Sequence, residues 1–329
     1  GQNDLSAKLI KTPLDPNETF SDDPLRMMRA ARFAAQLDFF IDPTVLLAME
    51  KNASRLSIIS AERVREELFK LLSTKVPSLG LWILAQTGLM AQFLPEVMDL
   101  SGVEEVFGYT HKDNLSHTFA VIDNIAVSSE KTLLRFVGLM HDIAKPQTKQ
   151  FTHGRGWTFD MHDHLGKKMT REIGRRLRMS KNDTEYAAKL VRWHLQPIAL
   201  MDDGITDSAV RRLIVNAGDE LDDLLILCRS DITTGNQQKR VRRLKNYDLL
   251  EKRIAEVIEI DKLRAFQSPV RGEEIMTVCG LKPGPTIGKI KNALEEAILD
   301  GIIPNDYEAV KIYFLSIKDK YLAEGWEKI

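Results

Sequence analysis

His117, the pair His141–Asp142, His162, His194 and Asp231 are six residues of metal-binding type in one part of the chain. Imidazole and carboxylate together suit Mn, Co, Ni, Fe or Zn better than Ca. The order H…HD…H…H…D is what a mono- or dinuclear site needs, because a carboxylate such as Asp142 can bridge two ions. An ion held this way acidifies a water into a nucleophile at neutral pH. Lys145, four residues after His141, is spaced to neutralise a phosphoryl oxygen. His141–Asp142 alone reads equally well as a satisfied core pair, and the other four residues in order favour the metal. His111, His153 and His164 read as ordinary histidines. His164 is two residues from His162 and so points away from it on a helix.

These six must be brought together by helices. Apolar residues recur at three and four over 25–37, 61–72, 79–93, 117–127, 132–144, 166–178, 184–195, 207–215 and 220–232, which predicts a mostly α protein. His141 and Asp142 end one apolar helix, His117 opens another, and His194 lies late in a third. One strand pair is expected, with TKQFT (148–152) and WTFDM (157–161) flanking the turn signal HGRG, and His162 follows it. From Asn236 to about Phe266 there is no Gly or Pro, enough for one helix of about 45 Å at 1.5 Å per residue. QSPVRG breaks it and GLKPGPTIG opens a last unit. The expected organisation is an entry segment 1–20, a helical unit 21–107, a histidine-rich unit 108–235, and a long helix with tail 236–329.

Composition narrows the class. The 329 residues are 43% hydrophobic and 28% charged, as in an ordinary soluble protein, and the net charge of −1 leaves polyanion binding to local patches. Cys228 and Cys279 form no C-x-x-C pair, which points to a reducing, cytoplasmic compartment. No apolar run reaches the roughly 18 residues of a membrane span. Basic clusters at 167–181 and 239–245 offer contacts to a phosphate backbone, or simply solvated helix faces.

A second constellation stands near the start, in SDDPLRMMRAARFAAQL (21–37). Ser21, Asp22 or Asp23 can cap a helix whose first position is Pro24. Arg26, Arg29 and Arg32 then share one face. A carboxylate only accepts hydrogen bonds and a guanidinium only donates. Asp23 beside Arg26 therefore matches the Watson–Crick edges of cytosine and adenine and repels those of uracil and guanine. On chemistry alone, a capping aspartate beside a surface arginine is the commoner arrangement.

Both constellations resemble known families. The H…HD…H…H…D order is similar to the HD phosphohydrolase superfamily, whose central signature HDIAKP (141–146) resembles. That resemblance implies metal-dependent hydrolysis of phosphate esters, with His117, His141, Asp142 and Asp231 as core ligands. His162 and His194 match the extra ligands of dinuclear members. The stretch 21–43 is similar to the nucleotide-selecting motif of class II tRNA nucleotidyltransferases, the CCA-adding enzymes, and their bacterial poly(A) polymerase relatives. Their pattern is E-D-x-x-R followed by R-A-x-R-F-A, with Asp22 standing here for the Glu. Asp23 and Arg26 match the base-reading pair, and Arg29 and Arg32 the arginines that follow. ISAERVREEL (59–68) resembles a neck motif through Glu62, Arg63 and Glu67, and residues 280–301 resemble the tail.

The resemblance implies tRNA, CTP and ATP as partners, and a 2′,3′-cyclic phosphate at a damaged tRNA end as a substrate of the HD site. It also implies Mg²⁺ in a polymerase head bearing a D-x-D pair, which two-metal transfer requires. The chain has no such D-x-D and no glycine-rich phosphate loop near its start, so neck, body, HD and tail are expected without the head. In the tail, Lys282, Gly284, Thr286, Gly288 and Lys289 stand at a helix start that attracts phosphate. The sequence leaves two other readings, a stand-alone HD phosphohydrolase and a non-catalytic RNA-binding module.

Overall fold

The structure, a computed structural model, describes residues 1–102, 105–106, 109–110, 113–154, 156–201, 206–261 and 268–324. His111, Arg155 of the expected turn, and 262–266 of the expected long helix lie outside the described residues. The protein is mostly helical, as the apolar spacing predicts. Its longer helices are α1 (Leu25–Leu37), α2 (Pro43–Asn52), α3 (Ala61–Leu72), α4 (Pro77–Gln86), α5 (Asn114–Ser128), α6 (Thr132–Met140) and α7 (His162–Arg176). They continue with α8 (Lys181–Trp193), α9 (Asp207–Ala217), α10 (Leu221–Ser230), α11 (Gln237–Asp261), α12 (Gly272–Cys279), α13 (Pro285–Leu299) and α14 (Tyr307–Glu324).

Among the described residues there are three two-stranded ladders where one was expected. β1 (Leu9–Ile10) pairs in parallel with β2 (Phe40–Ile41), and β3 (Glu105–Val106) pairs antiparallel with β4 (Tyr109–Thr110). The expected hairpin is β5 (Gln150–Thr152) with β6 (Gly156–Thr158), in which Phe151 faces Trp157. Strands of two residues are too short to show a period-2 pattern.

Other departures have local causes. The apolar run 79–93 is split after α4, because Gly88 adopts φ +73°. The run 132–144 is helical only to Met140, where His141 becomes the cap. A further helix, Pro16–Asp22, occupies the entry segment. Asp15 caps it by accepting from the N–H groups of Asn17 and Glu18 at 2.8 and 3.2 Å. The Asp–Pro dipeptide is its signal, and Asp42–Pro43 opens α2 in the same way.

Residues 1–198 with 219–244 form one compact unit, and 199–218 with 245–329 form another. In the first, α1 packs on α3 and α4, α4 on α5, α5 on α6 and α10, and α6 on α3 and α8. Its core includes Met27, Met28, Leu68, Leu71, Leu81, Phe119, Ile122, Phe136, Val137 and Leu190, all at most 1% exposed. In the second unit, Val270, Ile275, Ile290, Leu294, Val310 and Phe314 gather α12, α13 and α14 around one core. No helix among the described residues is long and apolar enough to cross a membrane.

Candidate metal centre and base-reading pair

The helices deliver the six metal-binding types to one place by their ends. His141 caps the C-terminus of α6 and Asp142 follows it; His194 caps α8 and Asp231 caps α10. The exposed carbonyls at such ends carry partial negative charge and favour a cation. His117 sits in the first turn of α5, and His162 is the first residue of α7.

His117, His141 and Asp231 bring ligand atoms within 4.8 Å of one another, and so do Asp142, His162 and His194. Asp142 joins the two groups. Its Oδ2 is 3.2 Å from His141 Nε2 and 3.6 Å from His117 Nε2. Its Oδ1 is 3.5 Å from His162 Nε2 and 3.8 Å from His194 Nε2. Asp231 Oδ1 is 2.8 Å from His117 Nε2 and 3.6 Å from His141 Nε2. His141, Asp142, His162 and His194 are buried. The Asp231 side chain is 35% exposed and that of His117 18%, so the centre opens on their side.

The rings are oriented from behind. His141 Nδ1 lies 2.7 Å from Gly138 O, His162 Nδ1 2.7 Å from Phe159 O, and His194 Nδ1 2.6 Å from Val191 O. A carbonyl can only accept, so each Nδ1 carries a proton and each Nε2 is turned inward, where a neutral ring offers its lone pair. His117 Nδ1 is 2.7 Å from Thr233 Oγ1, a hydroxyl that serves either tautomer. Backing of this kind is what metal-ligating imidazoles have.

The arrangement fits a cation. His141 Nε2 is buried and makes no hydrogen bond. His162 Nε2 and His194 Nε2 face each other at 3.3 Å, an opposition of lone pairs that a shared cation relieves. Burial pushes the His141 imidazole down, but Asp142 and Asp231 outweigh it and raise its pKa to about 10, so the two carboxylates favour a positive charge at its Nε2, a proton or a metal ion in its place. Burial also pushes Asp142 up, and His141 and Lys145 more than reverse that, holding it well below the usual carboxylate range. Burial, with His141 nearby, lowers His194 to about 4, leaving it neutral and able to ligate. Lys145 Nζ is 2.5 Å from Asp142 Oδ2. His164 is exposed and stands apart from this cluster.

The opening constellation forms a second site in the same unit. Asp23 lies between the Pro16–Asp22 helix and α1, and its Oδ1 accepts from the N–H of Leu25 at 3.2 Å. Its Oδ2 is 3.9 Å from Arg26 Nε, and its Oδ1 is 3.8 Å from Arg63 Nη2 on α3. Both arginine side chains are 50% exposed, so the donor and acceptor edges stand open side by side. Deeper along α1, Arg32 donates to Glu67 at 2.8 Å and to Gln36 at 2.8 Å, and Arg29 is 3.6 Å from Glu67. Arg32 is thus committed to the α1–α3 interface, and Arg29 is partly free.

Burial pushes the buried Glu67 carboxyl up, but Arg32 and Lys70 outweigh it and hold its pKa low. A lowered pKa stabilises the fold above the unfolded value and is lost as pH falls. Glu67→Gln is therefore expected to cost about 1–3 kcal/mol at pH 7, a gap that narrows below about pH 4. Urea melts of both proteins at pH 7 and pH 3.5 check it; a gap as wide at pH 3.5 would overturn it.

In the second unit Gly284 precedes α13, with Lys282, Gly288 and Lys289 exposed and Thr286 half-buried on its first turns. Sequence reasoning missed Arg135. This arginine on α6 is 2% exposed and donates to Leu72 O at 2.7 Å, Thr74 O at 2.9 Å and Ser129 O at 3.0 Å. Its signal was a lone charge inside the apolar run LLRFVGL.

Comparison with known proteins places the chain. It is 31% identical over 320 residues to the A-adding tRNA nucleotidyltransferase of Deinococcus radiodurans, covering 94% of this chain and 71% of that protein. The chain belongs to the tRNA nucleotidyltransferase family. The CC-adding tRNA nucleotidyltransferase of Thermus thermophilus is 30% identical over 319 residues, with 94% and 69% covered. Residues 114–253 match the HD domain family, and 38–100 match the family described as "Probable RNA and SrmB- binding site of polymerase A". The fold of the chain is shared with the Bacillus stearothermophilus CCA-adding enzyme solved with CTP. The TM-score is 0.67 at 18% identity, over 98% of this chain and 69% of that one.

Proposed function

We propose that the chain serves cytoplasmic CCA addition at tRNA 3′ ends, choosing the incoming CTP or ATP and holding the tRNA. The observation that carries this is the open, adjacent pair of edges on Asp23 and Arg26, in a chain that belongs to this family. The Asp23 carboxylate accepts from the exocyclic amine of C or A, and the Arg26 guanidinium donates to the neighbouring ring acceptor. Arg63 holds Asp23 from the other side, Arg29 faces the nucleotide, and Arg32 with Glu67 fixes the helix that carries them. The tail residues Lys282, Gly284, Thr286, Gly288 and Lys289 meet tRNA phosphate without reading sequence. The D-x-D carboxylates that hold Mg²⁺ for transfer are not among these 329 residues.

With the polymerase head in place, Arg26→Ala is expected to admit UTP and GTP. The lost discrimination is about 1–3 kcal/mol, or roughly 5- to 150-fold. Incorporation of each labelled nucleotide onto tRNA lacking its 3′ end measures it. If the variant excludes UTP and GTP as strictly as the parent, the base-reading role fails.

The six-residue centre supports a second activity, hydrolysis of a phosphate ester such as a 2′,3′-cyclic phosphate at a damaged tRNA end. His117, His141, Asp142 and Asp231 would hold one Mn, Ni, Co, Fe or Zn ion, and His162 and His194 with Asp142 a second. When bound, the metal supplies a water nucleophile at neutral pH. Gly138, Phe159, Val191 and Thr233 keep the imidazoles aimed inward, and the buried walls on the α6 and α8 side exclude bulk water. Lys145, beside Asp142, supplies the positive charge that receives a phosphoryl oxygen. Substrate enters where Asp231 and His117 are exposed.

A further inference from the structure

The chain that leaves Asp231 on the open side of the metal centre runs directly into α11. Between Asp231 and Asp248 there is no acidic residue, and Lys239, Arg240, Arg242 and Arg243 follow in the first turns. Asn236 caps this helix, accepting from the N–H of Lys239 at 2.9 Å. From Gly235 to Arg242 every residue is exposed, and Arg243 is half-buried. None of these four cations has an ion-pair partner among the described residues.

This placement works against the helix that carries it. The N-terminal end of a helix carries partial positive charge and favours acidic residues. Lys239 meets Arg242 and Arg243, and Arg240 meets Arg243, at spacings of three and four, where like charges repel. The other basic cluster shows the contrast. On α7, Arg171 forms a two-pronged pair with Glu185 at 2.9 and 2.5 Å, and Arg176 one with Glu96 at 2.7 and 2.6 Å. Cations left unpaired at the wrong end of a helix stand open to an external polyanion. Val241 is the one apolar side chain among them, too little for insertion into a lipid surface.

We propose that Lys239, Arg240, Arg242 and Arg243 form an RNA-backbone contact. It begins, at Lys239, at most about 28 Å of extended chain from Asp231 and leads an RNA strand toward the open side of the centre. It rests on the reading of the chain as a tRNA-handling protein, but not on metal chemistry. Contacts of this kind take phosphates without regard to sequence, and each neutralised phosphate releases counterions.

The test is binding of a fluorescent tRNA transcript lacking CCA, followed by anisotropy between 50 and 200 mM salt. The variant changes all four residues to glutamine, which keeps helix propensity. A matched variant changes Lys167, Lys168, Arg175 and Lys181 to glutamine. The α11 variant is expected to bind at least about tenfold more weakly near 100 mM salt, with a log–log salt slope shallower by about 3. Its melting temperature should hold or rise, because repulsion has been removed, whereas a structural role would lower it. Unchanged tRNA affinity overturns the proposal. So does an equal loss in the matched variant, or a loss confined to binding anionic phosphatidylserine vesicles. Absence of tRNA binding by the parent protein would overturn the tRNA-handling reading itself, and the proposal with it.

Discussion

Replacing Asp142 with asparagine is expected to abolish transition-metal binding at the six-residue centre. One oxygen of Asp142 faces His117 and His141 and the other faces His162 and His194, so the change strikes both groups of ligands. Loss of even a supporting partner typically lowers affinity 10- to 100-fold, and loss of a shared ligand should exceed that. Elemental analysis after purification without chelator and soaking in Ni²⁺ or Mn²⁺ makes the comparison. The parent should hold about one or two equivalents and hydrolyse bis-p-nitrophenyl phosphate, and the variant less than about a tenth of an equivalent. Less than that in the parent itself would sink the site. Metal without hydrolysis would leave a structural site and remove the second activity. His194→Asn separates one ion from two, since it touches only the group around His162.

The second large effect lies outside both candidate sites. Arg135→Ala should destabilise the first unit by about 3–5 kcal/mol. Three carbonyls, at Leu72, Thr74 and Ser129, lose their donor in a buried place, and a void replaces the side chain. For a unit of this size that is a fall of roughly 10 °C in melting temperature. Arg135→Lys should recover only part of it, because one ammonium cannot span the fork of acceptors. A melting temperature within about 2 °C of the parent for Arg135→Ala would refute the bracket.

Arg135 also shows where reading the sequence stops. Its acceptors come from α3 and from the turn before α6, as many as 63 residues away, and backbone carbonyls leave no mark in a sequence. The metal-binding types could be picked out because residue type and order are visible, and the structure brings all six together. That four of them sit at or just past helix C-termini was not visible, because periodicity locates a helix better than its last residue. The same blurring ran α6 on past His141 and hid the short helix before Asp23. Asp23 and Arg26 were legible as neighbours, whereas Arg32 looked like a third outward arginine until Glu67 on α3 was seen to hold it.

Gly138 has no functional group, yet it bears on two residues of the candidate metal centre. Its carbonyl aligns His141, and a Cβ placed on it would come within 2.6 Å of Ile125 Cδ1 on the helix that carries His117. A saturation library screened for metal retention should therefore deplete large side chains at position 138, with alanine tolerated because the tip of Ile125 can turn aside. A screen for abundance alone would score it as ordinary core. Selection acting on this chain would then limit the size of an unreactive residue, because a bulky side chain there presses on the helix that carries His117 while its carbonyl aligns His141.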